Sequence, residues 1–332
     1  MTDTQVKCAI VGLGRWGRNL VTSAAGNADA PLRFVRAATR TPAKAEDFCA
    51  EHDLPLCDDY REVLADPEVE AVVFATPHSQ HHEQVIAAAE AGKHIFVEKP
   101  FALTLGDARE MTDAAAAHRR CLAVGFNRRF MPAFREMRDR MKEGAIGKPL
   151  LIEGQFSGPW GFGYSADMWR GSAAENPAGG MAAMGIHVLD AMIALMGPVA
   201  AVRTLSRTQA LESDLHDTTV TLLDFASGAA GTLTTLMASP TYWRLHVAGT
   251  EGWIAMPDQD SVERLDGDAP TRTALPAGNS LGAELSVFAR AIRGGANWPI
   301  PAADILAGVA AMQAIGCSAE RGGEKVEVTA IG

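Results

Sequence analysis

The feature that most constrains this chain is Gly12-Leu13-Gly14-Arg15-Trp16-Gly17, a G-x-G-x-x-G run directly after the apolar stretch 6–11 that opens a helical pattern continuing through Leu20 and Val21. In that context each glycine has its own task. The first permits a tight turn, the second lets a pyrophosphate approach the backbone, and the third lets the helix pack against the strand, with the phosphates at the helix N-terminus. Gly12, Gly14, Arg15, Trp16 and Gly17 are thus the expected phosphate loop of a dinucleotide site.

The pattern around the loop supports this. Short apolar runs at 6–11, 33–38, 71–76, 94–97 and 121–125 alternate with helical patterns at 42–52, 81–91 and 105–118. Continuous apolar strands separated by helices are what a parallel sheet covered on both faces requires, an α/β doubly wound (Rossmann) domain. A chain of 332 residues has room for a second domain, and the spacing predicts domains over 1–125 and 126–332. In the second, strand patterns at 150–156, 199–207, 218–225, 231–237 and 243–248 precede helices at 281–293 and 303–320 and a closing edge strand at 325–328.

Cofactor choice is read about 20 residues past the glycines, at the end of the second strand. The sequence there, Ala38-Thr39-Arg40-Thr41-Pro42-Ala43-Lys44, has no carboxylate to hold a ribose diol. Thr39, Arg40 and Lys44 instead provide the hydroxyl, guanidinium and ammonium that suit a 2′-phosphate, so NADP is expected over NAD. The formal charge of −10 argues against nucleic acid as a partner. Five widely spaced cysteines without a C-x-x-C pair indicate neither a disulfide framework nor a zinc cluster and suit a reducing cytoplasm. The longest apolar stretch, 179–202, is interrupted by His187 and Asp190, and no signal-like segment precedes the first strand, so no membrane association is expected.

Further motifs are Ala75-Thr76-Pro77-His78-Ser79-Gln80-His81, Ala91-Gly92-Lys93-His94-Ile95-Phe96-Val97-Glu98-Lys99-Pro100, Gly125-Phe126-Asn127-Arg128-Arg129-Phe130, Trp169-Arg170, and Gly179-Gly180 through His187 to Asp190. With the glycine loop, these resemble the glucose-fructose oxidoreductase and inositol dehydrogenase family (GFO/IDH/MocA) over nearly the whole chain. The resemblance implies a nicotinamide-dependent oxidoreductase acting on a sugar, cyclic polyol or related hydroxy compound. It implies a Rossmann domain followed by an α/β domain whose open, largely antiparallel sheet makes a homodimer or homotetramer.

Moving a hydride from a hydroxyl-bearing carbon needs a base for the departing proton and a cation for the developing alkoxide. The resemblance assigns these tasks to Lys99 and His187. It also implies that Thr76, Pro77 and His81 line the cofactor, that Glu98 sits near the nicotinamide ribose, and that Asn127, Trp169 and Arg170 touch the nicotinamide end. The cluster His78, His81, His82 and Glu83 is not expected to hold a metal, because its helix start is committed to the cofactor.

One departure from the family pattern is Ala183, four residues before His187, where an Asp is usual. Met and aromatic residues around it (Trp160, Phe162, Tyr164, Met168, Trp169, Met181, Met184) suggest a less polar pocket than a hexose needs. Two other readings compete: a redox-neutral lyase or glycosidase with a tightly held cofactor, and a cofactor-sensing regulator that lost its chemistry. Retention of both Lys99 and His187 speaks against the regulator.

Overall fold

The computed structural model describes residues 5–25, 30–165, 167–213, 215–265 and 267–328. They divide into two compact units. The first contains β1 (Val6–Val11), α1 (Arg15–Ala25), β2 (Leu32–Ala38), α2 (Glu46–Glu51), β3 (Leu56–Cys57), α3 (Tyr60–Ala65), β4 (Ala71–Phe74), α4 (His81–Glu90), β5 (His94–Val97), most of α5 (Leu105–Ala117) and β6 (Leu122–Val124). Among the described residues the six strands form one parallel sheet in the order β3-β2-β1-β4-β5-β6. The order reverses between β1 and β4, the point where open α/β sheets leave a crevice outside the strand ends. Apolar runs dictate the centre: every residue of β4 is buried, as a strand covered on both faces requires. α1 buries Gly17, Leu20, Val21 and Ala24, one stripe at helical spacing, in keeping with the 3.6-residue period read from the sequence.

The second unit begins with α6 (Pro132–Lys142) and β7 (Pro149–Ser157), continues through a π-helical turn at Met181–Gly185 into α7 (Ile186–Met196), and adds β8 (Val199–Arg207), β9 (Thr218–Phe225), β10 (Ala230–Leu236), β11 (Tyr242–Gly249), β12 (Trp253–Met256), β13 (Ser261–Leu265) and β14 (Thr271–Ala274). Its mixed sheet has the order β14-β13-β12-β11-β7-β10-β9-β8-β15, with β15 at Val326–Glu327. Only the β7–β10 pairing is parallel among the described residues. Burial alternates along β9, with Thr219, Thr221, Leu223 and Phe225 in and Val220, Leu222 and Asp224 out, the signature of a sheet covered on one face. α7 lies on β7 because Gly154 has no side chain: a Cβ there would stand 2.3 Å from Val188 Cγ1.

The linear division at 125/126 is crossed by two segments, 103–105, which group with the second unit, and 279–302. Residues 279–302, carrying α8 (Ser280–Ile292), return to the first unit, whereas α9 (Ala302–Glu320) belongs to the second except at its first residue. The cause is apolar burial. Leu285, Phe288 and Ala289 join the core formed by β1, α1 and β2, and Phe96 packs edge-on against Phe288 at 5.7 Å. Asn279 caps α8 and also donates to the Ser23 carbonyl, while Arg293 pairs with Glu70. Elsewhere the expected 42–52 helix is a 3-10 turn at Pro42–Lys44 followed by α2, and α3, α6 and β12–β14 are additions to the sequence reading. α9 is long and apolar enough to cross a membrane by length and composition, but Ile305, Val309, Met312 and Ile315 are covered, as in a core helix.

Candidate active site

The glycine loop in the first unit shows the three tasks separately. Gly12 has φ +96° and lies so close to the strand β4 exit that a Cβ would stand 2.6 Å from the Ala75 carbonyl oxygen. Gly17 admits no side chain, since a Cβ would stand 1.9 Å from the Gly12 carbonyl oxygen. At Gly14 nothing lies within 4 Å of the same position and the residue is exposed, leaving a cradle that fits a pyrophosphate at the start of α1. Arg15 is exposed there, whereas Trp16 turns inward against the apolar core.

Thr39 follows β2 and is half-buried, and Arg40 and Lys44 are exposed along the next turn. The sequence reading missed Arg18. Its guanidinium donates to the Leu13 carbonyl at 3.2 Å and the Lys44 carbonyl at 2.5 Å and lies 5.1 Å over the Phe48 ring, so it ties the basic turn to the glycine loop. Its signal was its place one helical turn after Gly14.

At the carboxyl ends of β4 and β5, Thr76 donates its hydroxyl to Gln84 (2.6 Å) and Pro77 opens a short 3-10 turn. His81 is fully buried, with Nδ1 2.9 Å from the Pro100 carbonyl oxygen and Nε2 3.2 Å from that of Thr76. It braces the β4 loop against the Glu98-Lys99-Pro100 turn, whose Lys99–Pro100 bond is cis. His82 instead pairs with Glu110, and no group of three or more His, Cys, Asp or Glu side chains is gathered for a metal among the described residues. Glu98 is buried and half-buried Lys99 follows it; Gly125 exists to admit Glu98, since a Cβ there would stand 2.7 Å from Glu98 Oε1. Asn127 is 5% exposed and donates from Nδ2 to Ser280 Oγ at 2.9 Å, leaving its buried Oδ1 without a hydrogen-bond partner among the described residues. That acceptor fits the donor of a carboxamide. Lys93, by contrast, is a buried tether to the Asp66 and Val69 carbonyls, its pKa lowered by burial.

In the second unit His187 is buried in the first turn of α7, and its ring lies 6.3 Å from that of Phe156 on β7. Phe156 in turn meets Trp160 and Trp243 edge-on, at 5.5 and 5.3 Å. Because a π-helical turn stands just before α7, the 183–187 spacing is not a regular α-helical i, i+4 step, and Ala183 is half-buried. Asp190 does not act with His187. Both its oxygens are held by Arg129 (2.7 and 2.8 Å), which also binds Asp304; burial raises the Asp190 pKa against the pull of that guanidinium. Trp169 and Arg170 share a 3-10 turn, with the guanidinium 4.1 Å over the indole. Arg128, to which the sequence reading gave no role, lies 4.6 Å from the Phe156 ring and 5.0 Å from that of Trp243, and burial lowers its pKa to about 10.

Residues 6–126 match the model of an oxidoreductase family with an NAD-binding Rossmann fold, and residues 134–255 match the GFO/IDH/MocA C-terminal domain. The chain is 33% identical to a scyllo-inositol 2-dehydrogenase (NAD(+)) of Bacillus subtilis, covering 76% of this chain and 74% of that protein. Among solved structures, a putative NADPH-dependent oxidoreductase from Desulfitobacterium hafniense superposes with TM-score 0.90 at 26% identity, covering 98% of this chain and 99% of the other. A levoglucosan dehydrogenase in complex with NADH and levoglucosan gives TM-score 0.89 at 26% identity over the same shares. With both of its halves matched in order and the glycine cradle and Glu98-Lys99-Pro100 turn in place, the chain belongs to the GFO/IDH/MocA family of oxidoreductases.

Proposed function

We propose that this protein is a dehydrogenase, with NADP preferred over NAD, that oxidises a secondary alcohol of a sugar, cyclic polyol or related hydroxy compound or reduces the matching ketone. The observation that carries the reading is the open position at Gly14, placed at the sheet's topological switch point beside the β4 exit. When bound, the nicotinamide supplies hydride acceptance and return. Gly12, Gly14 and Gly17 with the start of α1 hold the pyrophosphate, and Thr39, Arg40 and Lys44 receive the 2′-phosphate. Thr76, Pro77 and Glu98 line the nucleotide, His81 positions their loops, and Asn127 offers its Oδ1 to the carboxamide. The family resemblance assigns Trp169 and Arg170 to the nicotinamide end of the cofactor as well.

Lys99 carries the charge of the developing alkoxide, and His187 accepts the hydroxyl proton. Known relatives, a scyllo-inositol dehydrogenase and a levoglucosan dehydrogenase, support the substrate class. The test is to follow reduced-nicotinamide absorbance with each cofactor against scyllo-inositol, levoglucosan and a panel of sugars and lactols. No turnover with any of them by either cofactor would refute the reading. The open face of the second unit's sheet supports a homo-oligomer: Leu205 faces Val220 across β8 and β9, and Leu205 and Leu222 are each 53% exposed. Light scattering on Leu205→Glu/Leu222→Glu against the unmodified protein tests it; a monomer in both cases would remove it.

A further inference from the structure

We infer that Arg128 is a specificity-determining residue that donates its paired N–H groups to two adjacent oxygens of the substrate, a vicinal diol. The substrate class rests on the dehydrogenase reading above; the residue rests on the geometry of the second unit.

Two arginines stand side by side in the chain and meet opposite fates. Arg129 is neutralised by Asp190 and Asp304. The Arg128 side chain forms no hydrogen bond and no ion pair with any described residue; its partners are the Phe156 and Trp243 rings. Those rings, edge-on to each other, hold the guanidinium through its π-system and leave its in-plane donors uncommitted. Arg128 Nε is buried without an acceptor, and so is the Trp243 indole N–H beside it. Native structures keep few such orphans, and at a site they point to a group supplied from outside. No acidic side chain offsets the burial, yet with a pKa of about 10 the group stays charged at neutral pH.

The same Phe156 ring touches His187, so guanidinium and imidazole flank one aromatic side chain. A planar fork of N–H groups matches two oxygens on neighbouring atoms, whereas an ammonium at that position would not. A carboxylate has that form too, but the sugars and polyols of the dehydrogenase reading carry adjacent hydroxyls instead. The diol is therefore the class the site selects.

The test uses cofactor-saturated protein and two probes sharing a ring and a reacting alcohol, trans-1,2-cyclohexanediol and cyclohexanol. Binding is read by tryptophan fluorescence and turnover by reduced-nicotinamide absorbance. A charge-assisted hydrogen bond gives the unmodified protein a diol preference of about 10–100-fold. Arg128→Met should reduce that preference to within about threefold, through a raised KM for the diol. Arg128→Lys, which keeps the charge and loses the fork, should retain only a minor part of it. An unmodified protein without the preference, a variant that keeps it, equal loss on both alcohols, or tighter binding of trans-2-hydroxycyclohexanecarboxylate than of the diol would overturn the proposal. Arg128-dependent diol binding without hydride transfer would retain Arg128 and sink the dehydrogenase reading. If neither probe binds, Arg128 loses its role; oxidation of scyllo-inositol in the same preparation would leave the dehydrogenase reading standing.

Discussion

Replacing Gly14 with Ala should separate a glycine kept for a ligand from glycines kept for the fold. A Cβ at 14 meets nothing within 4 Å, and the residue does not lie in the left-handed region. The folded state therefore accepts the methyl, and lost freedom in the unfolded chain stabilises the protein by about 0.4–1 kcal/mol. Gly12 and Gly17 behave oppositely. Ala at 12 takes on φ +96° and a 2.6 Å approach to a backbone oxygen, and Ala at 17 a 1.9 Å approach to another. The backbone conformation alone costs about 1–2 kcal/mol at 12, so both should destabilise by more than the Gly14 variant gains. The same methyl at 14 occupies the space a pyrophosphate needs. Losing one or two charge-assisted backbone contacts, about 1.5–3 kcal/mol each, weakens cofactor binding by one to several decades. Thermal denaturation of the three variants, with fluorescence titration of NADPH, reads both quantities. A Gly14→Ala protein that melts as low as Gly12→Ala, or that binds NADPH as tightly as the parent, would refute the reasoning.

Arg40→Ala/Lys44→Ala should lose about one to two decades of NADPH affinity per contact while NADH binding stays put, measured by parallel titrations; equal affinity of the unmodified protein for the two cofactors would remove the 2′-phosphate assignment. Lys99→Met and His187→Ala should each lower kcat by about two to four decades with cofactor Kd nearly unchanged, and loss of cofactor binding instead would place that residue in another role. Asp217 gives an acid-stability prediction. Burial alone would raise its pKa, but N–H donors of Gln209, Ala210 and Leu211 and the Thr218 hydroxyl together hold it below the usual carboxylate range. Its contribution is therefore complete above about pH 4 and is lost as pH falls through the lowered folded value. Asp217→Asn should flatten that part of the stability curve, and urea melts at neutral pH and below pH 4 check it; an unchanged acid slope would mean another group titrates there.

Much of the site could be read from the chain because its logic is local. Three glycines within six positions, a strand before them and a helix after them define a phosphate cradle whatever the rest of the protein does. Strands β8 and β9 fall where the alternating pattern put them, since one covered face writes a period of two into the sequence. His81 illustrates the limit. Its place just past the fourth strand was legible, but its burial between two carbonyl oxygens depends on a turn 19 residues away.

Tertiary structure alone decided the rest, and in each case the reason is pairing over long separation. Asn127 owes its orientation to Ser280, 153 residues on, and α8 joins the first unit because Phe288 finds Phe96 there. The π-helical turn before His187 leaves no periodic mark that distinguishes it from one more turn of α-helix. Arg128 and Arg129 are equivalent as letters; acids brought by α7 and α9 neutralise the second, while β7 and β11 bring only rings to the first. Sequence determines which chemistry a segment can offer, and the fold decides which charges are left unneutralised, because burial and ion pairing are set by distant residues that no local pattern encodes.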